Sequence, residues 1–213
     1  MQRGKFVVFE GIDGSGKSTQ ISLLLDYLRQ KDKYNEVFLG REPTRKAKEV
    51  IRRLKEDLDP DSEAMVMARG YIEDRKEHYK EIIWPLLNWG AHVICDRFTL
   101  STLAYQSNGV GLGVLTQMHI TEEIGTPDLT FYFDIPVATA QERMRKRLGA
   151  PEKFEKPEFQ EKLAGRYENI IRLSKEDESL RDLVGRIEIV DATQSIEDLA
   201  RNIREVYDLV MSK

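Results

Sequence analysis

Phe6-Val7-Val8-Phe9-Glu10-Gly11-Ile12-Asp13-Gly14-Ser15-Gly16-Lys17-Ser18-Thr19 decides the fold of this chain. An apolar run of strand type enters a GxxxxGKS segment and leaves as a helix over about 17–31, with Ile21, Leu24, Leu25 and Leu28 on one face. The glycines let the backbone curl so that successive N–H groups point inward at phosphate oxygens. Lys17 reaches the β and γ phosphates of a nucleoside triphosphate, and the Ser18 hydroxyl is a candidate Mg²⁺ ligand. The helix opening at Lys17 adds the positive end of its dipole.

The same pattern repeats outward. Five short apolar runs, at 5–10, 36–40, 91–95, 130–135 and 186–190, alternate with long charged segments of helical period, which predicts an α/β fold with a parallel sheet covered on both faces. A helix is expected over about 62–88 after a break at Asp59-Pro60-Asp61. A last helix begins at Ser195 with Asp198 three residues on, a capping-box-like start. The Gly-rich segment Ser107 to Gly113 and the segment Leu148 to Pro151 read as mobile loops. In such a sheet ligands bind beyond the carboxyl ends of the strands. The polar clusters lie there: the glycine loop, Arg41-Glu42-Pro43-Thr44, Asp96-Arg97-Phe98, Asp134-Ile135-Pro136 and Asp191-Ala192-Thr193.

Composition narrows the function classes. With 213 residues, 40% hydrophobic and 33% charged, the chain buries a sizeable core and reads as one domain over 1–213. A formal net charge of −4 argues against a nucleic-acid polymer as partner, since no basic excess displaces counterions. The single cysteine, Cys95, excludes an intrachain disulfide and fits a small core residue in a reducing compartment. With no signal peptide and no long apolar span, the expectation is a soluble, cytoplasmic protein with no membrane partner.

The order of glycine loop, Arg-Glu-Pro, the helical Tyr71-Ile72-Glu73-Asp74-Arg75 and then Asp96-Arg97-Phe98-Thr99-Leu100-Ser101-Thr102-Leu103-Ala104-Tyr105-Gln106 resembles the thymidylate kinases. The resemblance covers nearly the whole chain and includes Pro127-Asp128-Leu129 before the fourth strand. It implies a P-loop NTPase three-layer sandwich with a five-stranded parallel sheet and a small lid at about 143–156. It further implies a homodimer, and transfer of the γ-phosphoryl group of ATP to dTMP with Mg²⁺.

Residue by residue, the resemblance places ATP on Gly11, Asp13, Gly14, Ser15, Gly16, Lys17, Ser18 and Thr19, with Arg143 near adenine and Ala192 beyond the fifth strand. It places the acceptor on Asp13, Arg41, Glu42, Pro43, Tyr71, Arg75, Arg97, Ser101, Tyr105 and Gln106. Tyr71 lies against the thymine, Tyr105 against the deoxyribose, and Ser101 and Gln106 are candidates for the pyrimidine edge. Asp96 stands where a carboxylate holds Mg²⁺ together with Ser18. Lys17, Asp13, Arg97, Arg147 and Lys153 are the candidate catalytic residues. Gly14 occupies a position where some members carry an arginine, and members with glycine draw that charge from the lid, which points to Arg147 or Lys153. One departure is Thr44-Arg45-Lys46-Ala47, where many bacterial relatives follow Arg-Glu-Pro with a glycine pair.

The residues make chemical sense without the name. A monophosphate acceptor attacks through an oxygen already anionic near neutrality, so no strong base is needed and the task is to hold two anions together. Arginine forks grip phosphate oxygens in two directions at once. A deoxynucleoside kinase is the nearest alternative; it needs a carboxylate base for a neutral hydroxyl, and Glu42 is the candidate. A guanine-specific switch is disfavoured by the lack of an Asn-Lys-x-Asp motif.

Overall fold

The computed structural model describes residues 2–47, 64–146 and 156–211. Five parallel strands, β1 (Phe6–Glu10), β2 (Val37–Arg41), β3 (His92–Asp96), β4 (Leu129–Asp134) and β5 (Ile187–Asp191), form one sheet in the order β2-β3-β1-β4-β5. Each begins and ends within one residue of its expected bounds. β1 lies at the centre with all five residues buried, which a continuous apolar run dictates. Its side chains alternate across the sheet. Phe6 and Val8 join Val93, Cys95, Ile83, Leu87 and Phe98 on one side; Val7 and Phe9 join Ile21, Leu24, Leu28, Phe131 and Phe133 on the other.

Register puts the strand ends level. Arg41 pairs with Asp96, Asp96 with Phe9, and Asp134 with Asp191, so the loops that follow all open at one edge. The connection leaving β1 runs toward β2, whereas those leaving its neighbours β3 and β4 run the opposite way, and this divergence leaves a crevice above β1 and β3.

Helix α1 (Lys17–Lys31) matches its expected span and packs against α9 (Ile196–Met211). The expected cap of α9 is present: Asp198 donates its N–H to Ser195 Oγ at 3.1 Å, and Ser195 Oγ donates to Asp198 Oδ2 at 2.8 Å.

Two expectations are corrected. The single helix over 62–88 is α2 (Ala64–His78), a π turn (Tyr79–Ile83) and α3 (Trp84–Trp89), closed by Gly90 at φ 98°. Pro85 explains the widening, because its ring lacks the N–H that the Glu81 carbonyl expects and collides with that carbonyl in a regular helix. The break at Asp59-Pro60-Asp61 lies outside the described residues. The Gly-rich segment is helical: α4 (Thr99–Val110) runs through Ser107, Asn108 and Gly109, turns at Gly111 with φ 89°, and continues as α5 (Leu112–Thr121). A mid-helix glycine costs only about 1 kcal/mol, less than the burial of Leu103 and Leu115 on either side of the corner returns. The other helices among the described residues are α6 (Val137–Arg145), α7 (Pro157–Leu173) and α8 (Glu178–Val184). The loop expected at Leu148 to Pro151 lies outside the described residues. No described helix is long and apolar enough to cross a membrane.

Candidate active site

Between β1 and α1 the glycine loop folds around its own lysine. Lys17 Nζ donates to the carbonyls of Gly11 at 2.9 Å and Ile12 at 3.0 Å, and to Ser15 Oγ at 3.4 Å. Burial, and then the charge of Arg97, bring the Lys17 ammonium down to a pKa of about 8. Helix α6 lies on the loop. Gly14 has φ 80°, and a Cβ there would stand 2.4 Å from the carbonyl oxygen of Ala140 and 2.9 Å from Met144 Cγ. Arg143, on the same helix, donates to the Ser15 carbonyl at 3.5 Å, which sets it beside the phosphate cradle.

Gly14→Ala is expected to force α6 off the loop, since neither the backbone angle nor the Ala140 carbonyl can yield cheaply. A loss of about 1–3 kcal/mol in stability is the expected scale, together with weaker nucleotide binding. Denaturant unfolding checks the first and nucleotide titration the second; an unchanged unfolding midpoint would show that α6 is not held there.

Beyond β3 the chain turns sharply. Arg97 takes a left-handed φ of 71° and donates its N–H to the Phe9 carbonyl at 3.0 Å, a conformation a non-glycine residue adopts only when its surroundings impose it. Glu10, the last residue of β1, is fully buried. Its carboxylate accepts N–H bonds from Phe98 at 2.7 Å and Ser101 at 3.1 Å, and O–H bonds from Ser101 at 2.6 Å and Tyr167 at 3.1 Å. It therefore satisfies two of the free amides at the start of α4. Burial lifts the Glu10 carboxyl above its ordinary value against the pull of Arg97 and those hydrogen bonds. Arg97 spans the crevice: NH2 meets Asp13 Oδ1 at 2.5 Å, and NH1 meets Ser101 Oγ at 3.2 Å and Tyr167 Oη at 3.4 Å. Burial opposes ionisation of Asp13, yet the Arg97 and Lys17 charges hold its carboxyl below the ordinary range. Tyr105 also donates to Asp13 Oδ2 at 3.4 Å, with its ring 5.3 Å from the Arg97 guanidinium carbon.

A second buried cation lies deeper. Arg75, on α2, is 2% exposed; its Nε donates to Glu42 Oε2 at 2.7 Å, and NH1 to Thr102 Oγ1 and His119 Nε2 at 3.0 Å each. His78 Nδ1 holds the other Glu42 oxygen at 3.0 Å, and the Phe98 ring lies 5.1 Å from the guanidinium carbon. His119 Nδ1 bonds the Leu115 carbonyl at 2.8 Å, which makes Nδ1 the protonated nitrogen and leaves Nε2 to accept from Arg75. The Glu42–Pro43 bond is cis, and Thr44 is tied by its N–H, at 2.8 Å, and its hydroxyl to Asp74. This anchors the turn after Pro43 to α2.

Burial, and then the Arg75 charge, depress His119 to about 3. The unfolded chain takes up a proton near 6.5 that the folded chain refuses, so this residue's contribution is intact above pH 6.5 and is lost as pH falls toward 3, by up to ~1.4 kcal/mol per unit. His119→Gln, which keeps an acceptor for Arg75, is expected to flatten the acid side of the urea-midpoint profile between pH 6.5 and 4. Equal slopes for the two proteins would refute it.

Other expected residues lie on the elements around this crevice. Tyr71 is half-buried and electrostatically coupled to both Arg97 and Arg75; burial pushes its hydroxyl up to about 12. Asp96 is 7% exposed with Oδ1 free of hydrogen-bond partners, while Arg41 Nε lies 3.7 Å from Oδ2 on a side chain 75% exposed. Gln106 is buried and its Oε1 has no partner. Ala192, buried after β5, donates to the Asp134 carbonyl at 2.8 Å. Ser18 and Thr19 are exposed on the first turn of α1.

Other placements differ from expectation. The Ser101 hydroxyl is committed to Glu10 and Arg97 beneath the crevice, and Glu42 lies behind Arg75 rather than facing a substrate. Arg143 sits at the glycine loop. Arg147 and Lys153 lie outside the described residues. Sequence reasoning missed Glu10, His78, Thr102, His119 and Tyr167 as supports. The available signal was their chemistry: a carboxylate ending an otherwise apolar strand, and two histidines among only three.

Comparison with known proteins agrees with this geometry. The family model described as "Thymidylate kinase" matches residues 9–203. The "Thymidylate kinase" of Nitrosomonas eutropha is 36% identical over 98% of this chain and 94% of its own, and the "Probable thymidylate kinase" of Pyrococcus horikoshii is 38% identical over 94% of each. The "Thymidylate kinase" of Wolbachia pipientis subsp. Culex pipiens is 44% identical over 67% of this chain and 70% of its own. With the loop around Lys17 facing the Arg97 and Arg75 networks across one crevice, and a family model spanning nearly its whole length, this chain belongs to the thymidylate kinase family.

Proposed function

We propose that the protein transfers the γ-phosphoryl group of ATP to dTMP, yielding dTDP and ADP, in the crevice above β1 and β3. The observation that carries this is Arg97, a guanidinium at 12% side-chain exposure that bridges the loop carboxylate Asp13 and the base of the crevice within electrostatic reach of Lys17. Two anionic nucleotides brought together need such charge between them.

The acceptor phosphate lies on Arg97, with Arg41 free to swing onto it. Arg75, held by Glu42, supports the base side with Pro43. Tyr71 stacks on the thymine, worth ~1–3 kcal/mol by analogy with other base–aromatic contacts. Tyr105 covers the deoxyribose, and the orphaned Gln106 Oε1 suits a pyrimidine N–H. On the donor side the amides of Gly11 to Thr19 cup the phosphates, Arg143 adds charge at Ser15, and Ala192 flanks the adenine. Arg147 and Lys153, outside the described residues, are the further candidates for charge on the transferred phosphoryl group.

The residues fit Mg²⁺. Asp96 Oδ1 is a buried carboxylate oxygen without a partner, and the Ser18 hydroxyl is exposed at the start of α1, so these two would hold the ion. When bound it neutralises charge on the donor phosphates.

A homodimer and a cytoplasmic location complete the reading. Met65, Val66, Ile82 and Trp84 are between 37% and 48% exposed on α2, the π turn and the start of α3, beside an open groove of about 840 Å³ against α5; a second copy would cover them. Met67 and Ile83, in contrast, belong to the core. For the deoxynucleoside-kinase alternative, Glu42 is the wrong tool, because both its oxygens are already bound by Arg75 and His78.

The test is ADP release with ATP and Mg²⁺ over a panel of monophosphates and, in parallel, thymidine. Turnover is expected to be fastest with dTMP, with dUMP lower by no more than a methyl group allows, ~1–3 kcal/mol. Faster turnover with thymidine than with dTMP would overturn the reading.

A further inference from the structure

Glu10 sits beneath the crevice and touches no surface from which a substrate could reach it. Its two oxygens divide their work. Oε1 accepts both backbone amides, from Phe98 and Ser101, while Oε2 accepts both hydroxyl protons, from Ser101 and Tyr167. A hydroxyl has one proton to give. With that proton turned toward Glu10, each hydroxyl presents lone pairs on its other side, and the same Arg97 nitrogen, NH1, lies 3.2 Å from one and 3.4 Å from the other. The two hydroxyls are themselves 3.0 Å apart. The carboxylate thus sets the polarity of the whole cluster, and Arg97 is aimed by acceptors that exist because Glu10 took their protons. Tyr167 comes from α7, so the cluster also joins that helix to the turn after β3.

We propose that Glu10 is a positioning residue for the acceptor phosphate, acting on Arg97 through the hydroxyls of Ser101 and Tyr167. This rests on the reading that Arg97 holds that phosphate.

Glu10→Gln tests it with almost no change of shape. The amide oxygen can keep the Phe98 and Ser101 N–H groups, but the amide nitrogen then donates toward the hydroxyls and turns their protons to Arg97, where donor faces donor. The expected result is a rise of at least tenfold in KM for dTMP, a change of less than twofold in KM for ATP, and retained folding by circular dichroism. Tyr167→Phe, which removes one of the two acceptors, is expected to raise KM for dTMP three- to tenfold with the same silence toward ATP. In an Arg97→Ala background, Glu10→Gln is expected to lower kcat/KM for dTMP no further.

The arms separate the two ideas. If Arg97→Ala leaves kcat/KM for dTMP within threefold of the parent, the acceptor reading itself falls. If Arg97→Ala is damaging while Glu10→Gln moves both KM values equally, or remains damaging without Arg97, the effect does not pass through Arg97 and the positioning role is overturned. Should Glu10→Gln not fold, Tyr167→Phe decides on the same measures, and an unchanged KM for dTMP refutes the proposal.

Discussion

Arg97→Ala is expected to lower kcat/KM for dTMP by a factor of at least about 10³, the low end of what a positive charge supplied to phosphoryl transfer is worth in other nucleotide enzymes. Two losses combine. The substrate phosphates lose a cation that the fold holds in a left-handed turn against Asp13, Ser101 and Tyr167. Asp13, whose ionisation rests first on Arg97 against its own burial, is left as a bare carboxylate beside incoming phosphates. Arg97→Lys is expected to recover little, because the two terminal nitrogens serve different partners on opposite sides of the crevice and a single ammonium cannot reach both. Steady-state kinetics with varied dTMP at saturating ATP decides the matter. A loss of no more than threefold would mean that the acceptor is held elsewhere.

Glu42→Ala is expected to be the most destabilising single change in the crevice, at about 3–5 kcal/mol. Breaking a buried ion pair strands a charge, and Arg75 at 2% exposure has no route to water. Among the described residues the remaining partners of its fork, Thr102 and a neutral His119, offer no negative charge, and His78 loses its acceptor in the same stroke. Glu42→Gln keeps one acceptor oxygen, for Arg75, and turns an amide N–H toward His78 Nδ1, which can accept it in the other tautomer, so a smaller loss of about 1–3 kcal/mol is expected. Urea unfolding of the three proteins at pH 8, where His119 is neutral in folded and unfolded chains alike, provides the comparison. A Glu42→Ala loss below 1 kcal/mol would show that Arg75 finds another counterion.

What could be read from the chain alone follows from the range of the interactions. The strands and α1 were legible because their cause is local: an apolar run between turns, or a period of 3.6 beginning at a phosphate loop. The Ser195–Asp198 cap is local too. The Arg75 cluster was not legible as a unit, because Glu42, Arg75, Thr102 and His119 come from four separate elements and no periodicity connects them. Glu10 was hidden for a different reason. It extends an apolar strand and precedes a conspicuous glycine loop, so its side chain reads as part of the loop motif, whereas it caps a helix that begins about ninety residues later. Glycine counting misled at Gly109 to Gly113, where apolar anchors on either side of Gly111 outweigh weak helix propensity. The resemblance implies Ser101 as a base contact, and the structure adds what the sequence did not show, that its hydroxyl bonds Glu10 and Arg97.

The ammonium of Lys17, seated on two main-chain carbonyls and a serine hydroxyl, has a bearing on which anions the enzyme tolerates. An arriving guest must coax that group off three oxygens it already owns. A chain of linked phosphates offers enough replacement contacts to make the exchange worthwhile; a lone sulfate or chloride offers few.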